Sequence, residues 1–183
     1  MILRLLDRRL GPDPKDFVTS GLKVLMELVT DIGLPNWVFD LVLVEDKTMA
    51  NLNGQFRDKD DVTDVLSFSY LLENGLGKCD LEAGNFGAKT DLWVDPLAKS
   101  LIGNGKIEIG EVVLAPSFIK SRCLEKGWSV ESEIPLLVVH GSLHLMGWDH
   151  QNKEEARAMK ELEKTYLTGC GLPHPLQNEE RLD

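Results

Sequence analysis

One stretch restricts this chain more than any other: residues 140–150, HGSLHLMGWDH. His140 and His144 close an apolar run, Ile134-Pro135-Leu136-Leu137-Val138-Val139, that reads as a helix. At about 100° and 1.5 Å per residue, positions i and i+4 share one helix face, with Cβ atoms roughly 5–6 Å apart. Two imidazoles at that separation can chelate one ion. On a continuing helix His150 would lie about 240° around from His144 and about 9 Å further along the axis, out of reach. Gly147 solves this, because glycine adopts the left-handed conformation that ends a helix and turns the chain back. His140, His144 and His150 are therefore expected as three nitrogen ligands of one metal ion, with a fourth position open. That donor set describes a catalytic zinc site rather than a structural one. The remaining histidine, His174, sits between two prolines near the C-terminal end and reads as a turn residue.

With 183 residues, 43% of them hydrophobic, the chain suits one domain with a sizeable core. No apolar run approaches the roughly 20 residues that cross a bilayer, and MILRLLDRRLGPD lacks the apolar core of a secretory signal. Cys79, Cys123 and Cys170 are odd in number and scattered, which suggests a reducing compartment. A cytoplasmic location is expected, or an organelle if the source is eukaryotic. The net charge of −10 has the wrong sign for a protein that coats nucleic acid, so an enzyme acting on phosphodiesters would need a local basic pocket.

Along the chain, residues 2–6 read as a first strand and Pro14 to Ile32 as a helix stopped by Gly33. Trp37 to Val44 reads as a buried strand, Asp46 to Gly54 as a short helix with an Asp cap and a glycine stop, and Thr63 to Tyr70 as a strand. Residues 71–108 carry six glycines and little periodicity. That is long for a connection in a compact domain, and it reads as a functional loop or, preferably, a partly disordered insertion. Ile109 to Ala115 reads as a strand, followed by helices from Pro116 to about Lys126, Ser129 to Met146, and Lys153 to Thr168. Ala156, Met159, Leu162, Glu163 and Tyr166 share one face of the last helix, and the tail from about 172 reads as loose. The expected fold is one α+β domain: a mixed sheet of about four strands packed with about five helices, the metal site on a helix and the turn after it.

The histidine and glycine spacing equals that of the metzincin proteases, HExxHxxGxxH, but the position of their general-base glutamate is Gly141 here. A closer match exists. HGSLHLMGWDH resembles the HGxLHLxGYDH motif of the YbeY family, zinc-dependent endoribonucleases of ribosomal RNA maturation and ribosome quality control, with Trp148 in place of tyrosine. Residues 52–68, LNGQFRDKDDVTDVLSF, resemble the family's LNxxYRxKDxPTDVLSFP, with Val62 for proline and Ser69 for the proline after the phenylalanine. Gly110 to Leu114 and Glu154 to Met159 are weaker matches to GDIxIS and EEAxxM. The resemblance runs from about 37 to 168 and lapses over 71–108.

That resemblance implies a single-strand-specific endoribonuclease with His140, His144 and His150 as ligands of one zinc per chain and Arg57 as the catalytic arginine. A guanidinium would supply a planar donor fork for phosphate oxygens and the positive charge the chain otherwise lacks. Zinc would act as a Lewis acid and bring the pKa of a bound water near 7. Asp149 reads as an outer acceptor for a ligand histidine or a proton shuttle, or else as a helix-terminal cap. Asp64 and Ser67 read either as shaping a cleft or as making structural contacts, Lys59 either touches RNA or is solvated, and Trp148 either stacks on a base or packs beside the helix. Ribosomal RNA, and ribosomal particles or proteins, are the expected partners, with no membrane or DNA. Two other readings stand beside this one: a ribosome-assembly factor with a mainly structural zinc, and a zinc peptidase-like hydrolase.

Overall fold

The computed structural model describes residues 2–8, 37–70, 102–103 and 106–172. The helix expected over Pro14–Ile32, most of the glycine-rich stretch and the tail from 173 lie outside them. Among the described residues five strands and four helices follow in the order β1 (Ile2–Asp7), β2 (Trp37–Leu43), α1 (Asp46–Arg57), β3 (Val65–Ser69), β4 (Ile102–Gly103), β5 (Lys106–Leu114), α2 (Pro116–Lys126), α3 (Val130–Leu145) and α4 (Lys153–Gly169). The α+β architecture is the one expected from the sequence.

The strands form one mixed sheet in the order β1-β2-β5-β3. β1 runs parallel to β2 and β2 to β5, whereas β3 runs antiparallel to β5. The C-terminal ends of its central strands, Leu41–Leu43 and Val112–Leu114, read as apolar runs because both faces are covered there. On one face Leu41, Leu43, Val112 and Leu114 join the core built by α2, α3 and α4. On the other, Val42, Val44, Leu66 and Val113 pack with Met49 of α1. α3 is the central helix, with an uninterrupted buried run from Glu133 to Val139.

Polar contacts hold this frame where burial alone would not. The nearly buried Asp40 of β2 receives Arg4 of β1 in a two-pronged pair, Nε to Oδ1 at 2.6 Å and Nη2 to Oδ2 at 2.8 Å. Arg122 of α2 bridges Asp64, just before β3, and Glu133 of α3, whose side chain is fully buried. A buried carboxylate is costly unless paired, so this arginine ties three segments together.

Several boundaries differ from the sequence reading. Gly54 does not end α1, which continues to Arg57 and stops at Asp58 in the left-handed conformation, φ 56°. A Cβ on Gly54 would stand 2.6 Å from Asp60 Oδ1, the far end of an exposed side chain that can turn aside. The N-cap is Glu45 rather than Asp46, whose carboxylate instead accepts the Phe118 N–H at 3.2 Å. The strand expected from Ile109 begins at Lys106 and pairs with β4, so the end of the glycine-rich stretch belongs to the sheet. Its pairing with β2 shifts at Val38/Phe39. Nearby Gly110 takes φ 149°, and a Cβ there would run into the Phe68 carbonyl oxygen of β3.

Candidate metal centre

α3 ends at Leu145, and the chain turns through Met146 and Gly147, the latter at φ 88°. The Gly147 N–H bonds to His144 O and the Trp148 N–H to Leu143 O, each at 3.0 Å. This wraps the following residues back over the helix end. His150 thereby reaches the face that carries His140 and His144. Ring centroids are 4.6 Å apart for His140 and His144, 5.1 Å for His144 and His150, and 5.4 Å for His140 and His150. One nitrogen from each ring lies within 4.8 Å of the others. Two rings are half-buried and His150 is exposed, so the cluster opens to solvent on one side.

The donor set fits a metal ion. The Nε2 atoms of His140 and His144 are 3.1 Å apart. Two nitrogens on a tetrahedral zinc, each 2.0–2.1 Å from it, would be about 3.3 Å apart. The other ring nitrogens are occupied: His144 Nδ1 donates to the Trp148 carbonyl at 2.8 Å, and His140 Nδ1 lies 2.7 Å from Glu163 Oε1 on α4. An Nδ1–H held by an acceptor leaves the Nε2 lone pair for a ligand. Burial, reinforced by repulsion from His140 and His150, pushes the His144 imidazole down to about 4, so it is neutral at pH 7.

Gly141 explains the missing protease glutamate. It faces the sheet, where a Cβ would come within 2.8 Å of Val112 Cγ1 and 3.5 Å of Val65 Cγ2. A longer side chain there would enter the core rather than the metal face.

The other sequence candidates are placed as follows. The Asp149 carboxylate accepts its neighbour's backbone N–H, from His150, at 2.8 Å; the Nδ1 atoms of His140 and His144 go to Glu163 and Trp148 instead. Asp64 accepts the Val65 N–H and pairs with Arg122, a structural role. Lys59 is exposed, Ser67 is half-buried on β3, and Trp148 packs against the main core. Arg57 is exposed at the last residue of α1. Its neighbour Phe56 meets Phe68 of β3 edge-on at 4.8 Å, and the adjoining Ser69 hydroxyl donates to Leu145 O, at the end of the histidine helix, at 2.7 Å. A cavity of about 290 Å³ on the α1 face, lined by Phe56, Phe68, Tyr70 and Glu111 among others, contains none of the three histidines. Glu163 is the site residue that sequence reasoning missed. Its signal was a glutamate among the apolar positions of α4, between Leu162 and Tyr166.

Three imidazoles on a helix and its following turn, beside a mixed sheet, define an α+β protein with a site able to hold one metal ion. Residues 14–171 match the family model described as Endoribonuclease YbeY, and the chain belongs to that family. A protein of Xanthomonas oryzae pv. oryzae named Endoribonuclease YbeY is 33% identical over 138 residues, 75% of this chain and 71% of its own. One of the same name from Heliobacterium modesticaldum is 31% identical over 179 residues, 94% of this chain and 97% of its own. The solution structure of TM1509 from Thermotoga maritima shares the fold, with a TM-score of 0.52 at 22% identity, covering 92% of this chain and 91% of that one.

Proposed function

We propose that the chain is a zinc-dependent endoribonuclease that cuts single-stranded RNA during ribosomal RNA maturation and ribosome quality control, as one domain spanning residues 1–183. The observation that carries this reading is the convergence of His140, His144 and His150 on one point, in a chain of the YbeY family. When bound, zinc supplies Lewis acidity and an acidified water. The chain's own groups do the rest. His140, His144 and His150 hold the ion, with the solvent-facing side left for substrate.

Arg57 is the proposed phosphate-binding group. Its support is the family motif around it and its place at the end of α1, linked to the histidine helix through Phe56, Phe68, Ser69 and Leu145. An exposed guanidinium offers the donor fork that a phosphodiester needs as charge builds on its non-bridging oxygens. Asp149, beside His150 and half-buried, is the proposed proton shuttle. The enzyme would work in the cytoplasm, in contact with ribosomal particles. No helix among the described residues is long and apolar enough to cross a membrane.

The net charge of −10 favours one other reading, an assembly factor whose zinc is mainly structural. A single experiment separates the two. Purified protein is assayed for metal content and for cleavage of single-stranded ribosomal RNA, alongside Arg57→Glu and His144→Ala. The nuclease reading expects bound zinc in wild type, cleavage lowered at least 100-fold in both variants, and zinc retained by Arg57→Glu. Cleavage surviving both substitutions would refute the assigned site.

A further inference from the structure

We propose that Glu163 is the positioning residue of the metal centre, the group that fixes the tautomer and ring orientation of His140. This rests on the metal-site reading above and adds a residue from a second helix to it. α4 is an amphipathic helix whose buried face runs through Met159, Leu162, Tyr166 and Leu167. Glu163 lies on that face at 7% exposure, and its carboxylate meets His140 Nδ1 at 2.7 Å. A carboxylate in such a place is unfavourable unless a donor satisfies it. Ionised, it can only accept, so it selects the His140 tautomer with the proton on Nδ1 and the lone pair on Nε2. That Nε2 is the atom 3.1 Å from its counterpart on His144.

The two helix histidines are held differently. The acceptor for His144 is the Trp148 carbonyl, which the Gly147 turn delivers and no substitution of Trp148 removes. The acceptor for His140 is a side chain from a different helix, so the geometry of this ligand depends on how α4 docks on α3. Ligand affinity at one imidazole is thereby coupled to packing between two helices.

The competing explanation is that Glu163 only pins α4 to α3. Glu163→Gln separates the two, since it keeps the shape and an acceptor oxygen but loses the charge, while Glu163→Ala removes the acceptor. Zinc affinity of the full chain is measured by competition with a chromogenic chelator, with circular dichroism and thermal unfolding of the metal-free variants in parallel. Nitrogen-15 spectra of the wild-type histidines, with and without zinc, report the tautomer without any substitution. We expect zinc affinity to fall about 10-fold in Glu163→Gln and up to about 100-fold in Glu163→Ala. The wild-type His140 should be protonated at Nδ1 and ligated through Nε2. Affinities within twofold of wild type in both variants, or ligation through Nδ1, would overturn the proposal while leaving the metal site intact. A wild-type chain that binds no zinc would sink the metal-site reading and this inference with it.

Discussion

The His144 imidazole shows how the fold leaves a ring ready to accept a metal ion. Removing it from water disfavours its charged form, and the neighbouring rings of His140 and His150 add repulsion, so it stays neutral down to about pH 4. A neutral ring has its lone pair available, and metal binding need not expel a proton from it at pH 7. The same shift sets this ring's share of the metal-free protein's response to acid. Its folded value, about 4, lies below the ordinary 6.5, so between these values the unfolded chain binds more protons than the folded one. This ring's contribution is therefore flat above about pH 6.5, and stability falls as pH drops toward 4. Urea unfolding of zinc-free protein at pH 7.0, 5.5 and 4.5 should show a steeper loss in wild type than in His144→Gln. Parallel losses in the two proteins would mean that the ring carries no such shift. The histidine triad was legible in the sequence because all its members lie within eleven residues and obey helix geometry. Glu163 was not, because its partnership with His140 spans two helices and is created only when they pack.

At the scale of elements, the end of α3 decides whether there is a site at all. Gly147 takes φ 88°, a conformation that costs a residue with a Cβ about 1–2 kcal/mol. Gly147→Ala should destabilise the metal-free protein by about that amount. It should also weaken zinc binding, since His150 would no longer be carried back over the helix end. Urea unfolding and a zinc titration of the variant check both effects; unchanged values for both would show that the turn is not what assembles the site. Glycine gave less reliable guidance elsewhere. The rule that succeeds at Gly147 also makes Gly54 a helix stop, yet Gly54 sits inside α1, which runs on to Arg57. One-dimensional reading cannot distinguish a glycine needed for its backbone angle from one that a helix runs straight through. The true stop, Asp58 at φ 56°, uses a residue type that tolerates the left-handed region moderately well. Likewise the start of β5 was masked by Gly103 and Gly105, although Lys106–Glu108 extends the strand and Ile102–Gly103 pairs with it.

For the whole molecule, the question is whether a bound metal would hold the fold or the fold would hold the metal. The three candidate ligands come from one continuous segment, so an ion there cross-links no distant parts of the chain directly. The apolar core stands beside them: Leu41, Val112, Leu137 and Leu143 are buried together, while His140 and His144 are half-buried and His150 is exposed. The Arg122 bridge to Asp64 and Glu133 and the Arg4–Asp40 pair brace the frame independently. Chelation should therefore weaken the protein without unfolding it, unlike small zinc modules that are unfolded when metal-free. An ion present at 1,000 times its dissociation constant stabilises the native state by about 4 kcal/mol. In a chain of this size that corresponds to a rise of roughly 8–16 °C in Tm. Calorimetry of the zinc-loaded and chelator-treated protein should show two cooperative transitions separated by about that interval, with the metal-free form folded at 25 °C. A metal-free chain with no cooperative transition would instead make the zinc structural, and would shift the balance toward the assembly-factor reading.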